Sequence, residues 1–142
     1  MALTGTTIQA PPAFDDFQDP AIFALDAGGF VLTARGSTYD PLTATTISTT
    51  WLQLYDDQAQ LVGNAFALPG LIGPESQYPE ITGLAKGGYA VAYEVEASNS
   101  GANFQESALL LVGSDGVPAS TPILVNTSLP GAQYVLGVHA LE

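Results

Sequence analysis

Apolar and polar residues alternate one by one along several stretches of the chain. Tyr89, Val91, Tyr93 and Val95 fall on one side of such a stretch, with Ala90, Ala92, Glu94 and Glu96 on the other. Phe30, Leu32 and Ala34 oppose Val31, Thr33 and Arg35 in the same way. Two further runs, 47–55 and 104–112, are dense in β-branched, aromatic or leucine side chains. A period of two sends successive side chains to opposite faces of a strand, and these residue types suit a pleated backbone. Gly28-Gly29 and Gly87-Gly88 sit between apolar runs, where a tight hairpin needs positive φ without a Cβ in the way. Asp56-Asp57-Gln58 and Ser114-Asp115-Gly116 supply the next hairpin turns, and Phe66 and Ile123 each mark a fourth short strand. The one stretch with helical spacing, Phe14 to Leu25, is interrupted by Pro20. The pattern predicts an all-β chain.

It also repeats. Pro20-Ala21-Ile22-Phe23-Ala24-Leu25 leading to Gly28-Gly29-Phe30 is matched, 59 residues on, by Pro79-Glu80-Ile81-Thr82-Gly83-Leu84 leading to Gly87-Gly88-Tyr89. Leu52, Leu54, Tyr55 and Phe66 correspond to Leu109, Leu111, Val112 and Ile123 at an offset of 57, so the second copy is two residues shorter in one loop. Thr7-Ile8-Gln9-Ala10 resembles Ala65-Phe66-Ala67-Leu68, and Val138-His139-Ala140-Leu141 resembles Ile81-Thr82-Gly83-Leu84. The expected organisation is a terminal strand of a preceding repeat (1–19), two repeat units (20–78 and 79–137) and a truncated third (138–142).

Each unit is expected to form a four-stranded antiparallel sheet. Sheets repeated at this length fit propeller-like blades; a β-sandwich is the alternative. Two blades cannot close a ring, which takes at least about four. Open strand edges then seek partners, so a homo-oligomer is expected. Leu141-Glu142 falls inside the third copy and has the form of a vector junction, which suggests a piece of a longer protein.

Of 142 residues, 46% are hydrophobic and 11% charged, a composition suited to a folded core. Fourteen acidic residues against Lys86 and Arg35 give a formal net charge of -12, which repels nucleic acid and anionic membrane surfaces. Neither partner is expected. No apolar stretch approaches the roughly 20 residues of a membrane-spanning helix, and Met1 to Gly5 carry no basic residue of a cleavable secretory signal. The absence of cysteine removes disulfides and thiolate chemistry.

The chemistry-bearing residues read as structural. Asp15, Asp16 and Asp19 cluster before Pro20 but lack the glycine and spacing of a calcium loop. Asp56-Asp57 fits turn chemistry. Glu94 and Glu96 project from one strand face about 7 Å apart, as paired glycosidase carboxylates do, yet the pattern also suits the solvent side of a strand. His139, the one histidine, has no nucleophile motif to serve. Neither glycine pair has the context of a phosphate loop. No catalytic residue, metal site or cofactor is therefore assigned. Exposed aromatics can stack on sugars or anchor a protein, and the polar loop 35–46 with its counterpart 97–104 differs most between the copies. Binding is expected there, at Tyr39, Asp40, Ser98 beside Asn99, and Asn103.

The block Leu52-Gln53-Leu54-Tyr55-Asp56 through Asn64-Ala65-Phe66, preceded by Pro20-x-Ile22-x-x-Leu25-x-x-Gly28-Gly29-Phe30, resembles a recurrent segment of large RTX-type bacterial exoproteins, as does the ending Ile123-Leu124-Val125-Asn126. The resemblance spans nearly the whole chain. Ala27 and Lys86 replace that family's acidic residue before Gly-Gly, Gly113-Ser114 replaces its Asp turn, and its calcium-binding nonapeptide is missing. Calcium binding is therefore not carried over. The resemblance implies a secreted or cell-surface setting and a non-catalytic module for adhesion, spacing or protein and glycan contact. A fragment of a propeller enzyme acting on glycans, or a purely structural self-assembling unit, remain the alternatives.

Overall fold

The computed structural model describes residues 16–26, 28–70, 76–97, 104–125 and 135–139. Among them every regular element is a strand. β1 (Asp16–Ala24), β2 (Phe30–Asp40), β3 (Thr45–Tyr55) and β4 (Leu61–Ala67) form one antiparallel sheet, in that order. β5 (Ser76–Gly83), β6 (Tyr89–Ala97), β7 (Phe104–Val112) and β8 (Ile123–Leu124) form a second, again in chain order. Neither sheet closes into a barrel.

The two sheets share one hydrogen-bond scheme. Leu25 N–H donates to Gly29 O (3.1 Å) across the first hairpin, and Leu84 N–H donates to Gly88 O (3.1 Å) across its counterpart. In the third connection of each sheet, Asp56 N–H donates to Gln60 O and Gly113 N–H to Val117 O. Beyond β4, Leu68 N–H donates to Thr50 O (2.8 Å); beyond β8, Val125 N–H donates to Ser107 O (2.9 Å). Even the irregularities coincide. β1 bulges between Gln18 and Ala21 and β5 between Gln77 and Glu80. The residue before each bulge proline, Asp19 or Tyr78, has φ near +50°. A proline offers no N–H to the ladder, so it sits on the edge strand at a bulge in both copies.

Cross-strand register sorts the side chains into faces, since directly opposed residues point the same way. In the first sheet Val31, Thr33 and Arg35 align with Leu54, Leu52 and Thr50, and Phe66 follows Leu52; we term this the front face. Ile22, Phe30 and Leu32 align with Gln53, Tyr55 and Leu61 on the back face. By the same register, Ile81, Tyr89, Val91 and Tyr93 with Ala108, Leu110 and Val112 make the back of the second sheet. Its front carries Ala90, Ala92, Glu94, Leu109, Leu111 and Ile123.

The front of the first sheet packs on the back of the second. Val31, Leu52 and Leu54 join Tyr89, Val91, Tyr93, Val95, Ala108, Leu110 and Val112 in a single core, with Phe66 and Ile81 packed against it. Burying each of the larger aliphatic side chains among them contributes about 1.5–3 kcal/mol. β5 is the strand of the second sheet that reaches β3 and β1. Its first residue is fastened there: Thr50 N–H donates to Ser76 Oγ (3.1 Å), and Thr50 Oγ1 donates to Ser76 O (2.7 Å).

Two expectations are corrected. The segment 35–46 is not a loop: β2 continues to Asp40 and β3 begins at Thr45, leaving a four-residue turn. Its threonines are β-branched, and their strand preference prevails over their polarity. Glu94 is not on a solvent face either, being 4% exposed. β6 is covered on both faces from Tyr89 to Val95, so its alternation separates large from small side chains rather than buried from exposed.

Candidate functional site

The β2–β3 hairpin tip presents Tyr39, 56% exposed and paired with Thr46, next to Asp40, which is paired with Thr45. Adjacent strand residues point to opposite sides, so the two do not converge on one ligand. Asp40 is engaged in the turn itself. Its Oδ1 accepts from Leu42 N–H (2.9 Å) and its Oδ2 from Thr43 Oγ1 (2.8 Å). Those two donors, the Leu42 N–H foremost, hold the Asp40 carboxyl below its ordinary pKa. What the tip offers to a partner is the Tyr39 ring and the exposed Leu42 side chain. Ser98, Asn99 and Asn103, predicted from the sequence as the matching binding loop, lie outside the described residues.

At the bulge end of the sheets, Arg35 ties the two copies together. Its Nη2 donates to Gln18 Oε1 (2.8 Å) and pairs with Asp19 Oδ2 (3.0 Å), while Nη1 reaches Gln77 Oε1 at 3.5 Å. Asp19 and Tyr78, the positive-φ residues of the two bulges, line a cavity of about 40 Å³ here with Thr33, Arg35, Thr50 and Pro79. The acidic trio predicted near Pro20 is thus used in part as an Arg35 partner; Asp15 lies outside the described residues.

Glu94 occupies the Arg35 position of the second copy. Its Oε1 accepts from Val135 N–H (3.3 Å), and its Oε2 is buried without a hydrogen-bond partner among the described residues. Burial raises the carboxyl pKa, and the Val135 hydrogen bond only partly opposes that. The signal in the sequence was the pair of alanines, Ala90 and Ala92, sharing its face. Small apolar residues there denote close approach of a neighbour, not solvent.

At the opposite end, the glycine turns of both sheets surround a cavity of about 210 Å³, walled by Leu25, Leu54, Tyr55, Val62, Tyr89 and the backbone of both Gly28 and Gly87-Gly88. Tyr89 is fully buried, and its hydroxyl meets no hydrogen-bond partner among the described residues. Burial raises the pKa of Tyr89 and of Tyr93. Tyr93 differs in that its hydroxyl donates to Pro69 O (2.8 Å).

Asp56-Asp57 serves turn geometry as expected: Asp56 Oδ1 accepts from Gln58 N–H (2.9 Å) and Gln60 N–H (2.8 Å). Asp115 does the same for Val117 N–H (3.1 Å). His139 is exposed. Among the described residues, no three His, Cys, Asp or Glu side chains gather as a cation site would require. No described helix is long and apolar enough to cross a membrane. Compared with known proteins, the chain matches no family model, no curated protein and no solved structure.

Proposed function

We propose that the chain is a pair of consecutive propeller-like blades from a large secreted bacterial protein of the RTX type, a non-catalytic module for spacing and for adhesion to protein or glycan. The observation that carries this is the hydrogen-bond scheme the two sheets share, with the edge-strand bulges in the same place and the front of one copy laid on the back of the next. Serial stacking of one unit is how repeat proteins build long scaffolds. The sequence resemblance supports the setting. Partners are neighbouring repeats or further copies of the chain along the stack, and a sugar or protein at the hairpin tips, where Tyr39 offers a stacking surface.

A glycan array probed with the whole chain and with Tyr39→Ala tests the reading. Retention of sugars that is lost in the variant, with no sugar released, is the expected result. Release of reducing sugar from a retained glycan overturns it in favour of the enzyme-fragment alternative.

A further inference from the structure

Residues 135–139 belong to no strand, and the hydrogen bond that fastens them to the second sheet joins Val135 N–H to Glu94 Oε1 (3.3 Å), across 41 residues of sequence. Their seat is slight. Val135 and Val138 are half-buried, while Leu136, at 95% exposed, Gly137 and His139 face water. A segment that buries so little opens locally at far lower cost than the unfolding of a core strand. The residue beneath it is the opposite case: Glu94 is buried, with Oε2 lacking a hydrogen-bond partner among the described residues. Ionising a carboxyl in such a place is costly, and water that reaches it removes the cost.

We propose that residues 135–139 form a pH-dependent strap, seated on Glu94 while its carboxyl is protonated and released when it ionises. The neutral acid still accepts from Val135 N–H through Oε1, so the seated state needs no charge. The side chains directly beside Glu94 in the register, Gln77 and Ser107, do not titrate in the relevant range. Three other groups nearby do. Glu80 stands opposite Ala92, one pair along the same face; Glu96, opposite Gln105, follows along β6; and His139 is an exposed residue of the strap itself. Glu94 is set apart from these by its contact with Val135. Burial raises its pKa and the Val135 hydrogen bond only partly opposes that, so the seated state holds the proton to higher pH than an open state in which the carboxyl is solvated. The strap is therefore held most firmly below the ordinary 4.5, and its hold weakens as pH rises through the seated-state value. This inference is independent of sugar binding at the hairpin tips.

Hydrogen exchange of the whole chain by nuclear magnetic resonance between pH 4.5 and 8 tests it, each amide rate being divided by that of the unstructured peptide at the same pH. Val135 N–H is expected to be less protected than Val91 N–H in the core of β6 and to exchange without dependence on urea below 1 M, as a local opening does. Its protection is expected to fall by up to about tenfold per pH unit, then level off. In Glu94→Gln, which keeps an acceptor and cannot ionise, protection at Val135 is expected to stay level over the same range. Glu80→Gln, Glu96→Gln and His139→Asn are expected to keep the fall. Protection at Val135 that is flat or rises with pH in the wild type overturns the inference, as does an equal fall in Glu94→Gln or loss of the fall in any of the three control variants. Equal protection and equal urea dependence at Val135 and Val91 also overturn it, since the segment would then open only with the whole fold.

Discussion

Arg35 and Glu94 occupy the same position of the two sheets, 59 residues apart in sequence, and carry opposite charges. Both reach beyond the strands of their own sheet, Arg35 to Gln77 and Glu94 to the Val135 N–H. A long side chain at this place on the front face reaches a segment outside its own sheet in both copies, whatever its sign.

Removing the tie between the sheets is expected to destabilise the fold. Arg35→Ala leaves Gln18, Asp19 and Gln77 without their shared donor. Hydrogen bonds to a charged group contribute about 1.5–3 kcal/mol, but Asp19 is 68% exposed and its share is small. A loss of about 2 kcal/mol is expected by urea unfolding. Gln77→Ala, which loses only the long contact, is expected to cost less than about 1 kcal/mol.

Glu94 gives the stability a pH dependence of definite sign. Its folded-state pKa is raised above the ordinary 4.5 by burial. The folded chain therefore takes up this proton before the unfolded chain does, and the associated stability is greatest below about 4.5 and falls as pH rises through the folded value. Glu94→Gln keeps an acceptor for Val135 N–H and removes the charge. Thermal melts are expected to show the variant more stable than wild type at pH 7, by a few degrees, with the difference vanishing toward pH 4. Asp40 acts oppositely: its lowered pKa supplies stability that is present above its ordinary 3.8 and lost as pH falls through its folded value. Asp40→Asn is thus expected to lower the melting temperature at pH 7 and not at the acidic extreme.

Tyr89→Phe removes a buried hydroxyl that has no partner among the described residues. Deleting an unsatisfied polar group while keeping the ring is neutral or stabilising, so unfolding free energy is expected to stay level or rise by about 1 kcal/mol. Tyr93→Phe, which strips Pro69 O of its donor, is expected to cost about 1 kcal/mol.

Gly29 and Gly88 hold φ of +82° and +79°, and a Cβ at either would overlap a carbonyl oxygen, of Tyr55 or of Val112. Alanine at either position is expected to cost about 2 kcal/mol or more. Equal losses at the two positions, measured by chemical unfolding, follow from their equivalence in the repeat.

The strands and turns were legible because their causes are local. Glycine pairs fix the hairpins at 28–29 and 87–88, and single-residue alternation fixes strands such as β6. The hidden features depend on what lies across the sheet. The one local sign that Glu94 is not a solvent-facing acid is the alanine pair Ala90 and Ala92 on its face, and what buries it, the covering of both faces of β6, is not local. The positive φ at Asp19 and Tyr78 belongs to residues that ordinarily avoid it before proline, and only the paired strand enforces it. At the hairpin tip, Tyr39 was found from sequence as an aromatic among polar residues. The role of Asp40 as a turn acceptor was not, since it depends on Leu42 and Thr43 folding back.

Nuclear Overhauser spectra of the methyl-labelled chain test the front-to-back packing of the two copies most directly. The Leu54 side chain lies against Gly116 across the joint, and Gly83 lies against Leu25 and Asp26. Cross-peaks from the Gly116 Hα to the Leu54 methyls and from the Gly83 Hα to Leu25 are the expected result, alongside those within the first sheet from Leu54 to Val31. Intact cross-peaks within each sheet with neither of the two between them would contradict the packing described.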